Sequence, residues 1–220
     1  MASDKSDTVL VVGLGRFGSA LAETLIDLDF EVLGIDADPK VVANWAGRLT
    51  HVVEADATKE DAFRQLGCAD FHRAVIGIGT HLEASILATS VLVDLGIDEI
   101  WAKADSVAHG RILRRIGAHH VVFPEHDVGV RVAHQVTGQV MDYIEFDSDL
   151  AMAKTRAPKE LAGKVLGESG IRSKYGITVV GIKKPGSDFT YATGETRLDS
   201  GDILIISGKP ADVEKFAART

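Results

Sequence analysis

"VLVVGLGRFGSALAETL", residues 9–25, decides how the rest of the chain is read. Four apolar residues, Val9, Leu10, Val11 and Val12, run into Gly13, Gly15 and Gly18 at G-x-G-x-x-G spacing, and an Ala/Leu-rich pattern of helical period follows at once. A strand that turns on glycine into a helix is the dinucleotide-binding arrangement. In it Gly13 permits the tight turn, Gly15 lets backbone approach a diphosphate, and Gly18 lets helix and strand pack closely. The helix N-terminus then offers unpaired N–H groups and a positive dipole end to phosphate. Asp36 ends the next strand-like run eighteen residues after Gly18, near the ~20-residue spacing at which an acid accepts hydrogen bonds from ribose hydroxyls. The same carboxylate would repel a 2′-phosphate, which disfavours NADP. Arg16 stands inside the loop, where the dipole disfavours a cation, and its guanidinium could reach a terminal phosphate on its own nucleotide or on one held by a neighbour.

Outward from this stretch, β-branched runs alternate with helical segments, the pattern of a parallel sheet covered on both faces. Strands are expected near 9–12, 32–36, 51–54, 74–78, 100–103 and 121–123, with helices at 17–28, 39–46, 59–66, 82–95 and 107–116. Six strands and five crossovers suit a doubly wound Rossmann domain. A further helix near 127–139 carries Val128, Val132 and Val136 in steps of four, with Val140 continuing the apolar stripe. The stripe must pack on its own sheet, on a second domain, or on another copy of the chain. Segment 82–95 is apolar around most of its circumference, which suggests burial on two sides and hence subunit contact. After Asp142 the texture changes to strand-like stretches, Pro158, a short helix, and the alternating runs "ITVVGIKK" and "DILIISG" between turns rich in Gly, Pro, Ser and Asp. The expected organisation is a nucleotide-binding α/β domain over 1–141 and a small α+β domain over 142–220.

Composition narrows the function. With 220 residues the chain can bury roughly 70% of its unfolded surface, so it needs no disulfide or metal staple. Its single cysteine, Cys68, excludes an internal disulfide and any C-x-x-C site, and points to a reducing compartment such as the cytoplasm. No run approaches the roughly 18 apolar residues of a membrane span, so a membrane role is expected only through a partner. A net charge of −8 argues against nucleic acid as a partner. All eight histidines, His51, His72, His81, His109, His119, His120, His126 and His134, precede the second domain, which therefore lacks a histidine acid/base for hydride chemistry. His119 and His120 are adjacent rather than at i, i+4, which disfavours a metal pair, and Cys68 reads as a packing residue. Glu125, after Pro124 at the end of the sixth strand, falls at the carboxyl edge where ligands bind, or serves as a helix-start acid.

The stretches "VVGLGRFGSALAETL", "GIDADP", "VEADAT", "HLEASILATSVLVDLG", "AKAD", "ILRRIGAHHVVFPEHDVGVRVA" and "YIEF" resemble the RCK (KTN) nucleotide domain of regulatory subunits of Ktr/Trk-type potassium uptake systems. "PKELAGKVLGESGIRSKYGITVVGIKK" and "RLDSGDILIISGKPADVEKF" resemble the companion C-terminal RCK domain, so the likeness covers nearly the whole chain. The resemblance implies ATP or ADP held by Gly13, Gly15, Phe17, Gly18, Asp36 and Asp38. Ala55, Asp56, Ala57 and Thr58 would lie at the adenine, and Ile78, Gly79 and Lys103 would flank the nucleotide. Arg16 would reach the γ-phosphate of an adjacent subunit's nucleotide, and Glu125 would join a divalent or sodium cation site between subunits. This chain departs at Asp105 and Ser106, where many members carry Gln-Asn. The family also implies a dimer-to-octamer ring at the inner face of the cell membrane under a separate potassium channel subunit, with no catalysis. Some members take cyclic di-AMP in the C-terminal domain, which would here place it near Ile171, Arg172 and Ile177. An NAD(H)-dependent oxidoreductase or NAD sensor, and a scaffold with a constitutive nucleotide, remain the alternatives.

Overall fold

The computed structural model describes residues 8–79 and 81–219. They form two compact units that divide between Glu125 and His126.

The first unit is built on a six-stranded parallel sheet of β1 (Thr8–Val12), β2 (Glu31–Asp36), β3 (His51–Glu54), β4 (Arg73–Ile76), β5 (Glu99–Lys103) and β6 (His120–Val122). The strand order is β3-β2-β1-β4-β5-β6. The crossovers carry α1 (Arg16–Asp27), α2 (Pro39–Trp45), α3 (Glu60–Gln65), α4 (Leu82–Asp94) and α5 (Val107–Ile116). The apolar run of β1 is buried on both faces: Leu10 and Val12 join Ile35, Ile76, Leu92 and Leu113 in one core layer. Val9 and Val11 join Leu14, Ala22 and Trp45 in the other. That two-sided burial is why β1 reads as a continuous hydrophobic run rather than an alternating one. From β1 the chain winds first to β2 on one side and later to β4 on the other. A crevice therefore opens beyond the carboxyl ends of β1 and β4, the position at which open α/β sheets bind ligands.

The second unit holds a five-stranded antiparallel sheet of β7 (Asp142–Asp147), β8 (Leu150–Arg156), β9 (Ile177–Lys183), β10 (Phe189–Tyr191) and β11 (Ile203–Gly208), in the order β10-β9-β11-β8-β7. Its core gathers Ala151, Ala153, Ile177, Leu204 and Ile206 with Val213 and Phe216 of α8 (Pro210–Ala217). The sequence pattern offered no helix at α8, whose start is set by Pro210 after an extended Lys209. The helix expected at 127–139 runs instead as α6 (Pro124–Val136), with proline at its first position, where a missing N–H costs nothing. All of α6 from His126 onward groups with the second unit, so the division lies earlier in the chain than the boundary expected after 141. The short helix expected after Pro158 is a pair of 3₁₀ turns, at Lys159–Leu161 and Leu166–Glu168, followed by α7 (Ile171–Tyr175). Among the described residues no helix is long and apolar enough to cross a membrane.

Candidate nucleotide site

The turn between β1 and α1 uses its glycines in three different ways. Gly13 adopts φ +89°, and a Cβ there would stand 2.9 Å from Ile78 Cγ1, so both conformation and space demand glycine. A Cβ on Gly18 would overlap the Gly13 carbonyl oxygen, so the first turn of α1 can press against the loop only without a side chain. Gly15 is different. Its φ of −65° suits any residue, and a Cβ there would meet nothing within 4 Å. Neither strain nor packing requires glycine at that point; the open space lies where backbone would approach a ligand.

Around this loop a cavity of about 470 Å³ is lined by Gly13, Gly15, Asp36, Asp38, Asp56, Ala57, Ile78 and Gly79, all expected from sequence. Ala55, likewise expected, and Val12, Ile35, Ala37, Val41, Gly77, His81 and Ala84 complete its wall. Of these, Gly77 had a legible signal, the second G-x-G at the end of β4. Its N–H donates to Val12 C=O at 2.7 Å, and a Cβ on it would lie 2.8 Å from the Gly13 carbonyl oxygen. His81 and Ala84, at the start of α4, come to the wall through tertiary packing and carried no signal.

Three carboxylates share this wall and are held in different ways. Asp36 accepts the Leu14 N–H on Oδ2 at 2.7 Å and the Asp38 N–H on Oδ1 at 2.9 Å. Each oxygen keeps a second lone pair, enough to accept from ribose hydroxyls. Asp38 caps α2, accepting the Lys40 N–H at 2.9 Å. Asp56 accepts the Thr58 hydroxyl at 2.7 Å and its N–H at 2.9 Å, which lowers its carboxyl below the usual range and closes the loop after β3. Negative charge at this end and helix N-terminal N–H groups at the glycine end suit a nucleotide whose ribose would lie on the acids and whose phosphates would lie on the loop.

Arg16, Phe17, Gly18, Thr58, Lys103 and Glu125 are not part of the cavity wall. Gly18 acts in packing and Thr58 in the Asp56 turn. Lys103, its side chain only 10% exposed, projects from the end of β5 so that a Cβ on Gly79 would lie 2.7 Å from its Nζ. The ammonium thus borders the cavity from behind Gly79, donating to Glu125 Oε1 at 2.7 Å with Asp105 at 3.5 Å. That hydrogen bond from Lys103 holds the Glu125 carboxyl below its ordinary value, and the Arg16 guanidinium lowers it further. Glu125 is therefore an ion-paired residue in the first turn of α6, and Arg16 opens α1 with its side chain exposed. Among the described residues no three His, Cys, Asp or Glu side chains cluster as a metal site.

The remaining sequence candidates sit apart from the cavity. Burial pushes the Cys68 thiol up to about 11, so it is a poor nucleophile. His109 is buried, which lowers its pKa, and its Nδ1 accepts the Asp105 N–H at 3.3 Å. His119 Nδ1 accepts the Ile100 N–H at 3.0 Å, while His120 stacks on Trp101 at 3.9 Å. In the second unit Ile171, Arg172 and Ile177 do come together, on the wall of a cavity of about 600 Å³ between α7, β9 and the Ala192–Gly194 segment.

Comparison with known proteins gives this geometry a lineage. Residues 9–124 match the TrkA-N domain and residues 150–220 the TrkA-C domain. Ktr system potassium uptake protein C of Bacillus subtilis is 36% identical over 95% of both chains. The chain belongs to the TrkA/Ktr family. Ktr system potassium uptake protein A is 33% identical in Bacillus subtilis, over 98% of both chains, and 33% identical in Vibrio alginolyticus, over 90% of both. The RCK fold is shared with the GsuK RCK domain, with a TM-score of 0.67 at 19% identity, over 100% of this chain and 48% of that one. It is shared also with the GsuK channel bound to NAD, with a TM-score of 0.65 at 20% identity, over 100% of this chain and 40% of that one. The chain thus spans under half the length of the GsuK chains but nearly all of its Ktr relatives. In this TrkA/Ktr chain α6 after Pro124, and β7, fall between the two family matches, and the glycine-loop cavity lies wholly within TrkA-N.

Proposed function

We propose that this chain is a non-catalytic regulatory subunit of a potassium uptake system, which reads ATP against ADP in the glycine-loop cavity and gates a separate membrane subunit. The observation that carries the reading is the cavity itself: acids at one end, open backbone at the other, in a chain whose near full-length relatives are Ktr potassium uptake proteins. Support for assembly into a ring comes from apolar side chains left on the surface, Leu82 and Leu87 on α4 and Val128, Val132 and Val136 on α6. On this reading Arg16, exposed at the start of α1, meets a terminal phosphate across a subunit boundary, a contact that ADP lacks. A cation near Glu125 would have to share that carboxylate with Lys103. Cyclic di-AMP is the ligand this reading gives the second unit's cavity beside Arg172. On this reading the chain works at the inner face of the cell membrane, held there by the membrane subunit it gates.

NAD is the second ligand to weigh, because an acid placed as Asp36 is satisfies the ribose of either nucleotide equally well. Calorimetric titration with ATP, ADP, NAD and NADH is the test. ATP and ADP are expected to bind more tightly than either dinucleotide; tighter binding of NADH would make the chain a redox sensor, and heat from none of the four would end the nucleotide reading.

A further inference from the structure

Trp45, the last residue of α2, is only 4% exposed, yet its indole N–H is spent on a serine rather than on its own helix. Nε1 donates to Ser19 Oγ at 3.2 Å, and the Ser19 hydroxyl donates in turn to the Leu14 carbonyl at 2.7 Å. The outer face of the ring is fixed by the Arg48 guanidinium, 4.3 Å from its centroid and ion-paired with Glu23 of α1. Leu14 is also held from the other side, since its N–H donates to Asp36 at 2.7 Å. A residue in the middle of the glycine turn therefore has both backbone groups anchored by side chains from β2 and α1, with α2 behind them.

The consequence follows from peptide planarity. In a trans peptide C=O and N–H point in opposite directions. Drawing the Leu14 carbonyl down onto Ser19, one turn inside α1, turns the Gly15 N–H away from the helix. Gly15 lines the cavity, and a Cβ on it would meet no protein atom within 4 Å. The brace thus fixes the direction of the N–H of a residue that lines the cavity.

We propose that Ser19, itself oriented by Trp45, is a positioning residue that aims the Gly15 N–H at the diphosphate of the bound nucleotide. The proposal rests on the nucleotide reading and adds to it two residues outside the G-x-G-x-x-G pattern. An aligned donor matters to a charged diphosphate and not to adenine or ribose. The effect is therefore specific to ligands that carry phosphate.

Calorimetry with ADP and with adenosine, on wild type and on the variants Ser19→Ala, Ser19→Thr and Trp45→Phe, tests it. Ser19→Ala is expected to weaken ADP roughly tenfold, the loss of about one hydrogen bond to a charged group, and to leave adenosine unchanged. Ser19→Thr, which keeps the hydroxyl, is expected to restore ADP affinity. Trp45→Phe keeps an aromatic six-membered ring but removes the indole N–H together with the five-membered ring that carries it, and a smaller loss for ADP alone is expected. Ser19→Ala binding ADP as wild type does, losing ADP and adenosine in equal proportion, or failing to be rescued by threonine would each overturn the positioning role. Wild type that binds neither ligand would instead overturn the nucleotide reading beneath it.

Discussion

At the residue scale, Asp36 is the acid that joins two segments of the site. It ties the glycine loop to the end of β2 and faces the cavity with its remaining lone pairs. Asp36→Ala is expected to weaken adenine-nucleotide binding by about 1.5–3 kcal/mol, the range for hydrogen bonds to a charged group, as read by calorimetry. The glycines separate two roles that one motif conceals. Gly18→Ala must displace the Gly13 carbonyl and is expected to cost about 1–3 kcal/mol or more of stability. Gly15→Ala is expected to leave the thermal midpoint within a degree or two of wild type while weakening ADP, since its Cβ intrudes only on ligand space. Glu125 gives the pH arm. Its carboxyl is lowered by the Lys103 hydrogen bond, so its contribution to stability is present above the ordinary carboxyl range and lost as pH falls through the lowered value. The Glu125 side chain is 63% exposed, so the contribution is below about 1 kcal/mol. Melting curves from pH 7 to pH 3 should show Glu125→Gln with a shallower acid decline than wild type; parallel curves would remove the pair from the account.

At the element scale, burial decided which helices the sequence pattern could reveal. α1 and α5 turn one apolar stripe to the sheet and were legible. The sequence of α4 is apolar around most of its circumference, and the helix buries Ser85, Ala88, Thr89 and Leu92 while leaving Leu82 and Leu87 outside. The small buried residues let α4 and α5 pack closely over the sheet. α8 is short and carries only Val213, Phe216 and Ala217 as its buried set, too few for a periodic signal. It is nonetheless a structural keystone of the second unit, because Phe216 is fully buried and meets Tyr175 edge-on at 5.4 Å. Phe216→Ala is expected to cost about 3–5 kcal/mol, measured by denaturant unfolding; a loss under 1 kcal/mol would mean that α8 is dispensable to that core.

At the scale of the whole molecule, the exposed valines of α6 argue for association. Val128, Val132 and Val136 are 58%, 45% and 80% exposed, and no residue of this helix from Pro124 to Val136 is buried within the chain. An apolar stripe of that length in water is unfavourable unless something covers it. Light scattering is expected to give a mass well above the 23.5 kDa of one chain. The double variant Val132→Glu, Val136→Glu is expected to shift the population toward the monomer while its far-ultraviolet spectrum stays that of wild type. A wild-type monomer at micromolar concentration would refute the ring.

The sequence by itself determined the doubly wound sheet, the turn on Gly13 and Gly18 and the acid at the end of β2. These features depend on local constraints: a buried parallel strand must be apolar on both faces, a left-handed or crowded backbone position must be glycine, and strand length fixes where the acid falls. The order β3-β2-β1-β4-β5-β6 is that of a doubly wound sheet whose winding reverses between β1 and β4. Tertiary structure alone decided what stands around that frame. His81 and Ala84 reach the cavity wall, Lys103 takes Glu125, and Trp45 reaches back to Ser19 across 26 residues of sequence. Each of these depends on which helix ends and strand ends meet at one edge of the sheet. A distance of that kind is set by packing between distant segments, and no periodicity or spacing within a single segment encodes it.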